Sequence, residues 1–435
     1  MKKLQVKQWE FKGEVTAFLS LLFLLMLSLV GVMIQSASIH ITRSMKRADT
    51  ELAMESIFAE YHSELLKEYE VFAKERADET YIAQRLSFYG ASNMTHHIEK
   101  IELLSDHHGA SFYTQVIKFM GGKPAEETVL ETEDLEAEAQ KVKTELESLL
   151  EKEECILPEE NNPIWIVEQL RKLGILSLVL GDSEQISKRT VNKETLASQR
   201  ELHTGSGYEG GFPKSNMTNK ILFASYLNQH FSNYRTNSVE HPLSYEAEYL
   251  LAGETSDREN LKEVANKLLG IRIGLNYTYL LTSQEKQAEA MALALALSSL
   301  MVAPEAAEIV KQAVLFAWAY GESILDLRSL FSGKKVPIVK NDTNWTLQLS
   351  KLSSLLINEK IEDSAQEESG ITYQEYLRML LLLEKEEVLS MRALDLLEVN
   401  LGIKADDCVT ALQIRSRCEM QRYITDTFST EYSYR

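Results

Sequence analysis

From Val15 to Ile34 the chain reads VTAFLSLLFLLMLSLVGVMI, twenty residues without a charge. A helix of that length rises about 30 Å, the thickness of a bilayer's hydrocarbon layer. Leu, Phe and Met stand on every side of it, whereas a surface helix keeps its apolar residues to one stripe. The pattern predicts a transmembrane helix over 15–36; a buried central helix of a soluble domain is the alternative. Ala48 to Ala77 then lacks Gly and Pro and sets Leu52, Ile57, Tyr61, Leu65 and Tyr69 on one broad stripe. That spacing predicts a helical stalk through 37–93, carrying the anchor into a domain at 94–435.

Within the domain, Met94 to Leu104 reads as a strand, and Gly109 to Met120 as a short helix stopped at Gly121-Gly122-Lys123-Pro124. Residues 125–154 are dominated by Glu, with Leu130, Leu135, Val142, Leu146, Leu149 and Leu150 on one face, and predict an exposed acidic helix. After Asn161-Asn162-Pro163 come a helix from Ile164 to Leu173 and a strand from Ile175 to Leu180, closed by Gly181-Asp182. The polar stretch 182–217 predicts a flexible Gly-rich loop. A helical core fills 219–357. In it a turn at Gly253 to Asp257 precedes a helix running to Leu281, an Ala-rich central helix from Glu285 to Met301 follows, and a third helix covers Glu305 to Phe331. Residues 359–370 read as a linker, and Thr372 with Glu375 forms a capping box for a helix from Tyr373 to Leu383. Cys408 to Tyr434 favours β-branched and aromatic residues and predicts a closing hairpin. The fold class expected is α+β, predominantly helical, with one small sheet built from the early strand, Ile175 to Leu180 and the hairpin.

Charge narrows the partners. The chain has 46 basic and 65 acidic side chains, a net charge of −19. Nucleic acid needs Lys and Arg clusters, so this balance argues against it and for a well-solvated surface. Lys2, Lys3, Lys7 and Lys12 precede the apolar run and Arg43, Lys46 and Arg47 follow it. With the run itself, the leading lysines resemble the basic and apolar regions of an uncleaved secretion signal. The expectation is a single-pass cell-membrane protein with residues 1–14 cytoplasmic and the large domain outside. Three cysteines are few for a disulfide scaffold. Cys408 and Cys418 pair if a hairpin brings them together, leaving Cys155 alone; buried free thiols are the alternative.

Candidate chemistry is sparse. Gly205, Gly207 and Gly210 satisfy GxGxxG, but no strand precedes them and no helix follows directly, so a dinucleotide site is rejected. Glu322 and Asp326 lie four apart on one helical face, as do Arg272 and Asn276. With Arg328 they form a candidate buried polar network that fixes helix packing, acid–base catalysis by the carboxylates being the rival use. His96-His97 and His107-His108 offer imidazoles for zinc, although neighbours on a strand point to opposite faces. No nucleophile elbow, HExxH, phosphate loop or CxxC pair occurs, so no catalytic residue, metal or cofactor is assigned. Ser20, Ser28 and Gly31 are candidates for close helix packing in the bilayer.

Lys12-Gly13 followed by Glu14-Val15-Thr16-Ala17-Phe18-Leu19 resembles the start of type IV prepilins and of TadE/TadG-like pseudopilins, in which a charged stub ends in Gly before a long apolar helix. The resemblance implies cleavage after Gly13, leaving Glu14 first. A pilin has Glu five residues past that Gly, where Phe18 stands here, and the TadG type often lacks it. A plain signal anchor is the competing reading. The order Tyr249-Leu250-Leu251-Ala252-Gly253, Asn260-Leu261, Arg272 with Asn276, Trp318-Ala319-Tyr320-Gly321-Glu322-Ser323, Asp326-Leu327-Arg328, Leu330, Gly333-Lys334 and Val336-Pro337 resembles an uncharacterised family of Gram-positive membrane-anchored proteins associated with tight-adherence (Tad) pilus loci. What this implies is a structural or assembly component, pseudopilin-like and not an enzyme, whose partners are the lipid bilayer and other pilus or secretion-system subunits. A membrane-tethered sensor and a surface-anchored hydrolase are the alternatives. The hydrolase requires Glu322 and Asp326 to reach solvent.

Overall fold

Helix α1 runs unbroken from Glu14 to Phe58, 45 residues, or about 68 Å at 1.5 Å per residue. The computed structural model to which it belongs describes residues 14–75, 78–122, 163–181, 186–214, 216–238, 240–300, 306–357, 370–421 and 424–434. Among them α1 is the one helix long and apolar enough to cross a membrane, and none of its apolar window is buried. Only its far end touches the domain, where Thr50, Ala53, Met54, Ile57 and Phe58 are buried. These fall on one side of the helix, as packing against a flat sheet requires.

That sheet is antiparallel and has β3 (Cys408–Gln421) at its centre. On one edge lies β2 (Met94–Leu103), in register through Ile98↔Ile414. On the other lie β4 (Ile424–Ser433), through Ser416↔Phe428, and the two-residue β1 (Lys74–Glu75), through Lys74↔Val409. The end of α1 and helix α3 (Glu79–Phe88) cover one face, so that Met54, Ile57, Phe58, Ile82 and Leu86 form a core with Val409, Leu412 and Ile414. Glu60, just past α1, ties the joint together. It pairs with Arg85 and with Lys74 Nζ at 3.2 Å, and accepts from Tyr89 Oη at 2.5 Å.

The second, larger core is helical. Between β1 and the hairpin it gathers α4 (Asp106–Gly121), α5 (Pro163–Leu173), α6 (Ile175–Leu180), α7 (Met217–His230), α8 (Glu246–Ala252), α9 (Asp257–Thr282), α10 (Gln284–Leu300), α11 (Ala307–Phe331), α12 (Tyr373–Leu383) and α13 (Glu386–Leu401), with α2 (Ser63–Tyr69) joining from the start of the chain. Helix α11 is its axis, buried without a break from Val314 to Leu327. The α+β, predominantly helical class, the early strand, the closing hairpin and the Thr372–Glu375 capping box are all present.

Three expectations change. The stalk does not run helically through 37–93, because α1 stops at Phe58; Leu65, Tyr69, Val71 and Ala73 serve the helical core while Ala53 to Phe58 serve the sheet, and one straight helix cannot face both. Ile175 to Leu180 is helix α6, not a strand, and lies outside the sheet. Flanked by Gly174 and Gly181, its apolar run buries Ile175, Leu176, Leu178 and Val179, a pattern that periodicity alone does not assign. The Ala-rich α10 is half-buried rather than central: Ala290, Ala294 and Leu297 face α11 while Leu295 is 51 % exposed. Of the two readings left open for the cysteines, buried free thiols hold: Cys408 and Cys418 are both buried and free, and ten residues apart on one strand they are separated by about 33 Å and cannot pair. The acidic helix at 125–154, the linker over 359–369, Cys155 and Gly13 lie outside the described residues.

Candidate functional site

Helices α9 and α11 pack side by side in the helical core, and each turns a polar stripe toward the other. On α9, Arg272 and Asn276 share a face by their spacing of four; on α11, Glu322, Ser323 and Asp326 do the same. All five are at most 3 % exposed. Arg272 Nε and Nη2 donate to Asp326 Oδ2 at 3.0 and 2.7 Å, and Asn276 Nδ2 donates to the same oxygen at 2.8 Å and to Ser323 Oγ at 3.0 Å. The predicted network of Arg272, Asn276, Glu322 and Asp326 is therefore assembled, with one exception. Arg328 turns away, and its Nε donates to the Leu178 carbonyl at 2.7 Å, closing the C-terminus of α6. Two positions beyond Asp326, it projects from a different side of α11.

The part that sequence reasoning missed is Lys340. Its Nζ lies 2.7 Å from Glu322 Oε1 and 2.8 Å from Asp326 Oδ1, and donates to the Asn344 carbonyl at 3.0 Å. Two cations thus face two carboxylates, and the buried cluster is neutral. Asp326 faces both cations, which hold its carboxyl below the usual range although burial alone would raise it. Burial pushes Glu322 up, aided by Asp326 and opposed by Lys340 and by the hydrogen bond from Thr346 N–H. Lys340 is held above its ordinary value by the two carboxylates, against burial.

Most of the network's other bonds go to one loop, with one to helix α12. Arg272 Nη1 donates to the carbonyls of Pro337 and Ile338 at 2.9 and 3.0 Å and to Tyr376 Oη at 3.1 Å. Glu322 accepts from the N–H groups of Thr346 and Leu347 at 3.0 and 2.7 Å. A buried backbone group without a partner is costly, and here the loop at 337–347 is sewn to the helices by charged side chains that satisfy it. Both carboxylates are enclosed and ion-paired, so neither reaches solvent as an acid–base pair would need.

The same chemistry recurs around the core. Asp257 accepts from the N–H groups of Ser244 and Tyr245 and from Ser187 Oγ. Asp395 accepts from Ser198 N–H and Tyr249 Oη, both at 2.7 Å. Asp406 takes Arg200 at two points, 2.6 and 2.7 Å, together with His203 N–H. A carboxylate only accepts, with four lone-pair sites, so it suits loop N–H groups. Around Gly205 and Gly207 the stretch read as a flexible loop is a loop, but one fastened in this way. Ser206 exchanges two backbone bonds of 2.9 Å with Ile101, and Asp106 accepts from Gly205 N–H. A Cβ on Gly205 would stand 2.1 Å from the Ile101 carbonyl oxygen, and one on Gly207 would stand 2.8 Å from that of Glu99. Two of the GxGxxG glycines are there so that the loop can lie against β2.

The imidazoles are dispersed. His96 bridges Ser416 Oγ and the Ala91 carbonyl, and His97, on the opposite face of β2, contacts Glu79. Among the described residues no group of three His, Cys, Asp or Glu side chains is placed to hold a metal ion. Ser20, Ser28 and Gly31 lie along exposed α1, the two hydroxyls bonded back to the Ala17 and Leu25 carbonyls at 2.8 Å. Glu14 opens α1.

Neither the curated proteins nor the solved structures include a match to this chain. A family profile does match, over residues 153–420, a region that takes in the whole of the Arg272–Asp326–Lys340 network but neither α1 nor β2. The match covers more than half of the chain, which belongs to the family of unknown function DUF5702.

Proposed function

We propose that this protein is a membrane-anchored structural or assembly component, pseudopilin-like, of a tight-adherence or type IV-like pilus or secretion system, with its domain on the outer face of the cell membrane. The observation that carries the reading is α1. A segment of bilayer length continues without a break into a helix end that is packed on the sheet, so the domain is held to its anchor by a rigid element and not by a tether. The charged groups of the Arg272–Asp326–Lys340 cluster are spent on one another and on the 337–347 loop, which suits a scaffold. The Lys12-Gly13-Glu14 junction supplies the link to prepilin processing.

Mass spectrometry of the mature N-terminus tests the processing: Glu14 as first residue supports the pilin route, whereas an intact Met1 or cleavage near Ala37 favours ordinary anchoring or secretion. Protease added to intact cells tests the orientation. A domain left uncut by a protease that trims other surface proteins would place it inside and remove the pilus reading.

A further inference from the structure

The stretch of α1 between the apolar run and the domain has two unlike faces. Ile39, Arg43, Lys46, Thr50, Ala53 and Ile57 recur at alternating spacings of four and three and turn toward the domain: Arg43 Nε is 2.9 Å from Asp426 Oδ2, Lys46 Nζ donates to the Ser92 carbonyl at 3.1 Å, and the last three carry the packing. A half turn away, Ile34, Ser38, Ile41, Met45, Ala48 and Leu52 recur with the same alternation and are all exposed. Ile34 is 66 % exposed, and Ile41, Met45 and Leu52 are each 60 % exposed.

From Ile41 onward this face stands beyond the reach of lipid. At 1.5 Å per residue Ile41, Met45 and Leu52 stand about 10, 16 and 27 Å beyond Ile34, and the headgroup layer on one side of a bilayer is only about 5–8 Å deep. Spacings of three and four, sustained, are the seam of a coiled coil, in which such residues insert between those of a parallel helix. The repeat also does not begin at the membrane surface. Traced backwards it continues through Gly31, Leu27, Leu24, Ser20 and Ala17, so one seam runs the length of the apolar segment and out into water. It ends at Glu55, where the next position would fall.

We infer that α1 pairs in parallel with α1 of a second copy of this chain, along the seam from Ala17 to Leu52. The inference rests on the membrane-anchored reading of α1 and adds the partner to it. A second copy fits because a chain anchored in the same bilayer presents its own α1 in the same direction and at the same height, so identical seam positions meet in register. Each domain packs on the opposite side of its own helix and leaves the approach open. The flanking positions oppose no like charges: in a parallel pair Ala37 faces Thr42, Ser44 faces Asp49, and Glu51 faces Ser56. Ser20 and Gly31 fall on the seam, where small residues let helices approach within the bilayer.

Single cysteines introduced into the full chain at Ile41, Met45, Ala48 and Leu52, and for comparison at His40 and Glu51, test this in isolated membranes under mild oxidation, with the parent chain as baseline. Disulfide-linked chains of twice the monomer mass are expected at the four seam positions, at least about fivefold over His40 and Glu51, and are expected to vanish when Ile41→Glu is combined with the cysteine at Met45 or Ala48. Equal crosslinking at seam and flanking positions, or none at the seam in chains that sediment with membranes, overturns the pairing and leaves the anchoring intact. Adducts of any other mass overturn the choice of a second copy. A chain recovered without detergent in the soluble fraction overturns the anchoring instead, and the same crosslinks in solution then decide the seam separately.

Discussion

Lys340 Nζ and Glu322 Oε1 meet at 2.7 Å with their side chains 2 % and 0 % exposed. A pair so placed is held by its surroundings, and removing one member strands a charge that water cannot reach. Lys340→Met leaves Glu322 and Asp326 with one cation between them, and leaves the Asn344 carbonyl without its donor. The expected loss of unfolding free energy is about 3–5 kcal/mol, read by chemical denaturation. Glu322→Gln is expected to cost less, since Lys340 still pairs with Asp326. A Lys340→Met loss below that of Glu322→Gln would show the cluster to be less closely coupled than its geometry.

Glu248 gives a pH dependence whose sign follows from its burial. Its carboxyl is enclosed beside Tyr373, which donates to Oε1 at 2.6 Å, while Oε2 is buried with no hydrogen-bond partner among the described residues. Burial pushes its pKa from 4.5 up to about 7. Between those values the folded chain binds more protons than the unfolded chain, so stability falls as pH rises through the window, by roughly 3 kcal/mol in all. His241 acts in the same direction at higher pH. Its hydrogen bond with Glu246 raises its pKa, so the stability it contributes is complete below the unfolded value and fades as pH passes the folded one. Thermal melts are expected to fall from pH 5 to pH 8. The Glu248→Gln variant should fall less over that range; equal slopes would mean that another group titrates.

What could be read from the sequence was local. The capping box from Thr372 to Glu375 appears at the residues that spell it, because a cap needs only its own four positions. The pairing of Arg272 with Asp326 was legible as two stripes at spacing four on neighbouring helices. Lys340 was not, since it sits in a stretch without periodicity, and only the path of the loop brings it to Glu322. Arg328 failed for the opposite reason: its closeness in sequence to Asp326 hides a turn of the helix that points it at α6. Ile175 to Leu180 fits a buried strand and a buried helix equally well until its neighbours are known, and the helices α5 and α11 beside it decide for helix.

Gly205 and Gly210 separate two readings of the same motif. A methyl at Gly205 would meet the Ile101 carbonyl oxygen at 2.1 Å and Asp106 Oδ2 at 2.4 Å, whereas at Gly210 the nearest atom is His107 Nε2 at 3.8 Å. Gly205→Ala should therefore cost about 1–3 kcal/mol and speed amide exchange at Ile101 and Ser206, while Gly210→Ala stays within about 0.5 kcal/mol of the parent. A phosphate-cradling loop would instead be sensitive at both positions.

Phe58 is where α1 is locked to the domain. It is 1 % exposed, its ring lies 4.5 Å from that of Tyr432 and 5.0 Å from that of Tyr434, and its carbonyl accepts from Tyr434 Oη. Phe58→Ala leaves a cavity between helix and sheet, and such truncations cost about 3–5 kcal/mol. The loss should be local: amide exchange is expected to rise in β4 and the last turns of α1, with the helical core around Trp318 unchanged, since that core shares no buried residue with this cluster. Leu52→Ala, about 1.7 turns earlier but on the outward face, should leave the domain's stability within about 0.5 kcal/mol of the parent. If Leu52→Ala destabilised the isolated domain as much as Phe58→Ala, the outward face would be a packing surface of the domain itself, and α1 would have no free side on which to meet another helix.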